Sequence, residues 1–96
     1  MQIRVRYLGQ ISAVVKKREE NVEVASRMTV STLLKHLADG YGAAFTGEVL
    51  DEGGHAVREG VIVTVNGRAI GQLQGIETQL QGGDVVTLLP LFAGGG

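Results

Sequence analysis

Residues 84–92, DVVTLLPLF, limit the fold more than any other stretch of this 96-residue chain. As a strand they place Val86 and Leu88 on one face and Val85 and Leu89 on the other, so both faces need cover. A strand of that kind belongs inside a sheet, not at its edge. Pro90 has no amide hydrogen to donate and therefore marks where the ladder ends. Whatever the rest of the chain forms must flank this strand on two sides.

The remaining segments supply the flanks. Met1, Ile3, Val5 and Tyr7 alternate with Gln2, Arg4 and Arg6, which predicts a strand with one dry face, ended by Gly9. Residues 11–18 fit a short helix or a loop. Val22 and Val24 around Glu23 predict a second strand, antiparallel to the first because no clear crossover helix separates them. MTVSTLLKHLADG, residues 28–40, is the main helix: Thr29 is its cap, and Met28 packs on Leu33. Val30, Leu33, Leu34, Leu37 and Ala38 share one face, Lys35 and Asp39 point away, and Gly40 is the expected stop.

Residues 40–60 read as connection, with a turn at 51–54 and a minor strand at Val49-Leu50. VIVTV (61–65) is a strand closed by the turn dipeptide Asn66-Gly67. Ile70 and Leu73 follow as a short return strand or bend, and 75–80 has room for one helical turn. The expected fold class is α+β: a roll with a mixed sheet of four or five strands, one main helix and the final strand central. One helix covers one sheet face. The other face is either open to a protein partner or covered by 40–60.

Nine Lys and Arg against ten Asp and Glu leave a net charge of -1, which gives no basic field for nucleic acid or a membrane surface. The run Lys16-Lys17-Arg18 meets Glu19-Glu20 at once and reads as a solvated turn. Cysteine is absent, so disulfides and thiolate chemistry are excluded. No run approaches the roughly 20 apolar residues of a membrane helix, and no secretory signal is visible, so the cytoplasm is the expected compartment. His36 fits a helix surface and His55 a glycine-rich turn, with no partners at metal-site spacing. No phosphate-binding glycine motif occurs, and Ser12, Ser26 and Ser31 lack a recognisable base partner. An enzyme acting by itself is not expected.

The end of the sequence has its own chemistry. The chain divides into a domain, 1–90, and a flexible tail, 91–96, that could reach about 20 Å if extended. Gly94, Gly95 and Gly96 have no side chains and could thread a channel closed to other residues. The carboxylate of Gly96 is a poor electrophile until an ATP-using partner converts it to a mixed anhydride. A sulfur or nitrogen nucleophile could then take the carbonyl. The plain alternative is a frayed terminus.

Val65-Asn66-Gly67 after a strand, then Leu80-Gln81-Gly82-Gly83-Asp84-Val85-Val86, Leu89-Pro90 and Ala93-Gly94-Gly95-Gly96, form an ordered set over nearly the whole chain. This set resembles the ubiquitin-like sulfur carriers: the small molybdopterin synthase subunit, the thiamine sulfur carrier and the ubiquitin-related modifiers. The resemblance implies a β-grasp fold. It also implies that Gly96 is adenylated and thiocarboxylated by an E1-like adenylyltransferase, with Gly94 and Gly95 as the narrow neck. Leu91 and Phe92 would brace the tail against the partner, while Val85 and Leu89 add apolar contact. No cofactor is implied on the chain itself; ATP is used by the activating partner.

The implied acceptor is the large subunit of a synthase making molybdopterin or tungstopterin. Protein modification, tRNA thiolation, or a plain interaction module are the alternatives. The chain departs from the family pattern in having three glycines for two, Leu89-Pro90 for two prolines, and extra length expected in 40–60.

Overall fold

The structure, a computed structural model, describes residues 1–91. Strand β1 (Gln2–Tyr7) pairs antiparallel with β2 (Glu19–Glu23), setting Ile3 opposite Val22. On its other side β1 runs parallel to the last strand, β5 (Val85–Pro90), with Val5 opposite Val86. β5 is also antiparallel to β3 (Val61–Val65), which places Val63 opposite Leu88, and β3 turns into the two-residue β4 (Arg68–Ala69). The order is β2-β1-β5-β3-β4, so the doubly apolar strand is central, as its composition requires.

The pleat sorts the side chains of these strands. Ile3, Val5, Tyr7, Val63, Val65, Val86 and Leu88 turn to one face and are buried. Arg4 and Arg6 on the opposite face are exposed, while Ile62, Thr64, Val85, Thr87 and Leu89 are half-buried. The β3–β4 connection is Asn66-Gly67, both at positive φ (51° and 87°), the two-residue turn whose twist suits adjacent antiparallel strands.

The described residues contain three α-helices where the sequence predicts one main helix. The main helix is α2 (Val30–Tyr41), preceded by α1 (Gly9–Val15) and followed by α3 (Ala43–Val49). α2 begins as expected: the Thr29 hydroxyl oxygen accepts from the Thr32 amide at 3.2 Å, and Val30, Leu33, Leu34 and Leu37 are buried. It does not stop at Gly40. The helix continues through Tyr41 to Gly42, whose φ of 85° breaks it while its amide bonds to the Ala38 carbonyl. Residues 11–15 resolve as helix, with Ile11 and Val15 in the core and Lys16 closing the end at φ 64°.

α3 occupies the segment read as connection. Phe45 and Val49, one helical turn apart, are completely buried, and α3 packs on α1 and α2. Seven residues with a glycine inside carry too little periodicity to announce a helix. Val49 ends this helix instead of starting a strand; Leu50 alone forms a bridge, to Val57. Asp51 closes the intervening turn by accepting from the His55 amide at 3.0 Å. Residues 43–49 therefore deepen the helical side and leave the other sheet face open among the described residues. The expected turn near 75–80 is a single 3-10 turn, Gly75–Glu77.

Candidate functional site

β5 brings the open face and the exit of the chain together. Val85, Thr87 and Leu89 lie in a row along it, with Ile62 opposite Leu89 and Thr64 opposite Thr87. Arg4 and Arg6 stand beside Val85 and Thr87 on β1. The result is a half-exposed apolar strip with a basic flank on one side. Arg4 has a loose, exposed ion pair with Glu19 at 3.7 Å, which contributes little to stability and leaves the guanidinium available. Leu91, just beyond the strand, is 56% exposed, the most exposed large apolar side chain among the described residues.

Three of the residues expected at a partner surface thus fall on one continuous line: Val85 and Leu89 on the open face, and Leu91 at its end. Phe92, Gly94, Gly95 and Gly96 lie outside the described residues. What the strip offers chemically is apolar area and the hydroxyls of Thr64 and Thr87.

Two sequence markers prove to be one structural device. The Asn66 amide nitrogen of the backbone donates to the Val85 carbonyl at 2.8 Å, and the Val85 amide donates back to Asn66 Oδ1 at 2.9 Å. Asn66 Nδ2 donates to Asp84 Oδ1 at 3.0 Å, and Asp84 Oδ2 accepts from the Gln81 amide at 2.8 Å. The β3–β4 turn is thereby fastened to the start of β5. This fixes the register that puts Leu89 on the open face and Leu88 in the core.

A polar cluster on the helical side has no counterpart in the sequence reading. Glu20, expected in a solvated turn, accepts from the Tyr7 hydroxyl at 2.5 Å and from the Tyr41 hydroxyl at the same oxygen. Lys17 reaches its other oxygen at 3.4 Å and stands 5.7 Å from the centre of the Tyr41 ring. Partial burial works against the Glu20 carboxylate. The hydrogen bonds from Tyr41 and Tyr7 and the charge of Lys17 outweigh it and hold the group below its ordinary range. Burial, then the bonded Glu20 carboxylate, pushes the Tyr7 phenol up, and Tyr41 moves the same way for the same leading causes.

With two phenols on one oxygen and Lys17 at the other, Glu20 acts as a fastener. It ties β2 and the last turn of α2 to β1. A cavity of about 290 Å³ beside it is lined by Val22, His36, Leu37 and Tyr41. No three His, Cys, Asp or Glu side chains gather in a metal-holding group among the described residues. No helix among them is long and apolar enough to cross a membrane.

Comparison with known proteins agrees with this geometry. The sequence matches the ThiS family over residues 5–95. Small archaeal modifier protein 3 of Haloferax volcanii is 30% identical over 95 residues, covering 99% of this chain and 100% of that protein. In fold, the crystal structure of SAMP1 from the same organism superposes with a TM-score of 0.83 at 21% identity, covering 99% of this chain and 100% of the other. A chain of the Amycolatopsis orientalis BexX/CysO complex gives 0.75 at 22% identity, covering 97% and 99%. The α+β roll is a β-grasp. With sequence and fold matched along nearly its full length, this chain belongs to the ThiS family of ubiquitin-like sulfur carriers and modifiers.

Proposed function

We propose that this chain is a sulfur carrier that reacts through the carboxyl group of Gly96 and serves its partners as a co-substrate, not as an enzyme. A carboxylate oxygen of Gly96 attacks the α-phosphorus of ATP on an E1-like adenylyltransferase. The new O–P bond gives an acyl adenylate, and pyrophosphate leaves. A hydrosulfide-level donor then attacks the carbonyl carbon; the C–O bond to AMP breaks, AMP leaves, and a thiocarboxylate and a proton remain. In the next partner that sulfur attacks an activated carbon and displaces its leaving group, giving a thioester; water then breaks the acyl C–S bond, which leaves the sulfur on the acceptor and returns the carboxylate.

The observation that carries this reading is the course of β5. A central strand with a half-exposed apolar face runs to the exposed Leu91, and Phe92, Ala93 and three glycines follow it in the sequence. In this reading Val85, Leu89 and Leu91 dock the domain on the partner, Phe92 braces the exit, and Gly94 and Gly95 pass the narrow channel. The acceptor we assign is the large subunit of a molybdopterin or tungstopterin synthase, in the cytoplasm where ATP is supplied. A chain of the BexX/CysO complex shares the fold, which supports the expectation of a protein partner.

A second reading is favoured by the relative of matching length, whose name is that of a modifier protein. In it a lysine amine replaces sulfur as the attacking group and the product is an isopeptide. Both readings require activation of Gly96, so deletion of that residue tests them together. The shortened chain keeps the thermal unfolding of the full chain yet supports no ATP–pyrophosphate exchange by the E1-like enzyme. Exchange at the full rate without Gly96 would overturn Gly96 as the reacting residue, the carboxyl of Gly95 then serving in its place.

A further inference from the structure

We propose that Gly9 and Gly60 form a collar that fixes the direction in which the chain leaves the sheet, and that Gly9 is a positioning residue for activation of the terminus. The inference rests on the reading just given. Gly9 opens α1 at a φ of 55°. That conformation does not by itself demand glycine, since Lys16, Arg27 and Asn66 hold φ values of 64°, 65° and 51° in the same fold. Contact does demand it. A Cβ at Gly9 would lie 2.8 Å from Pro90 Cγ and 3.3 Å from its Cδ, so the Pro90 ring rests where any other residue would put its first side-chain carbon.

The hydrogen bonds around Pro90 complete the collar. The Leu8 amide donates to the Leu88 carbonyl at 3.1 Å, which holds the start of α1 against β5. On the opposite flank the Leu91 amide donates to the Gly60 carbonyl at 2.6 Å, with Gly60 at a φ of 93°. Val61, the next residue, is opposite Pro90 in the ladder. The Pro90 ring sets its own φ near about -65°. The exit is thus held by a ring seated on Gly9, an amide tied to Gly60 and a φ fixed by covalent geometry.

Direction matters because glycines carry no preference of their own. Once the open face is docked, the exit at Leu91 decides which way the five residues beyond it are sent. At about 3.3 Å per residue, a swing of about 20° at the root moves the far end of five residues held extended in a channel by about 6 Å. A displacement of even about 1 Å at reacting atoms can lower a rate by about a hundredfold. Mis-aiming should therefore lower turnover while docking persists.

The test compares wild type, Gly9→Ala, Pro90→Ala and the double variant. Each is assayed by ATP–pyrophosphate exchange on a purified E1-like adenylyltransferase that accepts the wild-type chain. Partner affinity is measured by calorimetry and folding by circular dichroism at the assay temperature. Gly9→Ala lowers kcat by about tenfold or more while partner Kd stays within about twofold. Pro90→Ala costs less, and the double variant is no worse than Pro90→Ala alone, because removing the ring removes the clash.

Pro90→Gly provides the parallel test if Gly9→Ala does not fold. It frees the ring contact and the fixed φ together without entering the core, and it too lowers kcat at unchanged Kd. An unaltered kcat in Gly9→Ala overturns the collar, as does a loss of affinity matching the loss of rate, or losses that simply multiply in the double variant. If Gly9→Ala does not fold, an unaltered kcat in Pro90→Gly does the same. A wild-type chain that supports no exchange on any E1-like enzyme overturns this inference and the carrier reading together. Wild-type exchange with unaffected variants overturns the collar alone.

Discussion

At the scale of single residues, Glu20 shows most clearly how position changes chemistry. It stands in a run of charges that reads as solvated, yet two tyrosines and a lysine converge on it. Those partners are 13, 21 and 3 residues away, and the two distant ones meet it only because β1 and β2 pair in one register and α2 outruns Gly40. The folded carboxyl lies below its ordinary value of 4.5, so its contribution to stability is complete above that value. It is lost as pH falls below 4.5 through the depressed folded value. Glu20→Gln should cost about 1–3 kcal/mol at neutral pH, because two phenols lose a charged acceptor. The variant should also unfold with a shallower dependence on acid than wild type. Urea titrations at neutral and acid pH check both, and equal slopes would deny the group its role. Asn66 and Thr29, by contrast, were legible from the sequence, because a turn and a cap depend on neighbours in the chain.

At the scale of elements, the central position of β5 followed from its two apolar faces; the β1–β2 pair is antiparallel as expected, although its connection carries the helix α1, which the sequence pattern does not separate from a loop. What could not be read was α3. Its two core residues are four apart, Gly47 interrupts it, and it starts one residue after the glycine that ends α2. Its stability comes from packing on α1 and α2 and not from propensity, so a single-sequence pattern has nothing to report. Phe45→Ala tests that statement. Removing a ring with no exposed surface should destabilise the domain by about 3–5 kcal/mol. A denaturant midpoint close to wild type would show that α3 is an ornament and not part of the core. The motif around Asn66 and Asp84 lies between these cases. Its residues stood out by order along the chain, but only the fold shows them fastening β5 from its first residue.

At the scale of the whole molecule, the three helices occupy one face of the sheet and leave the other as an arginine-flanked apolar strip. That asymmetry leaves an uncovered sheet face among the described residues, which in the proposed function is the docking surface, and β5 carries the chain out along it. The sequence marked Val85, Leu89 and Leu91 as members of such a surface, and their common line on β5 joins them. It carried no sign that Gly9 and Gly60 bracket Pro90, since both contacts join residues far apart in the chain.

All of this serves one claim: a rigid roll presents a slender carboxyl end for activation by another protein. Intact mass spectrometry after incubation with an E1-like adenylyltransferase, ATP and hydrosulfide bears on it directly. A rise of about 16 Da, sulfur in place of oxygen at a carboxyl, is the expected result. A mass left unchanged, under conditions in which a control carrier gains that sulfur, would contradict it.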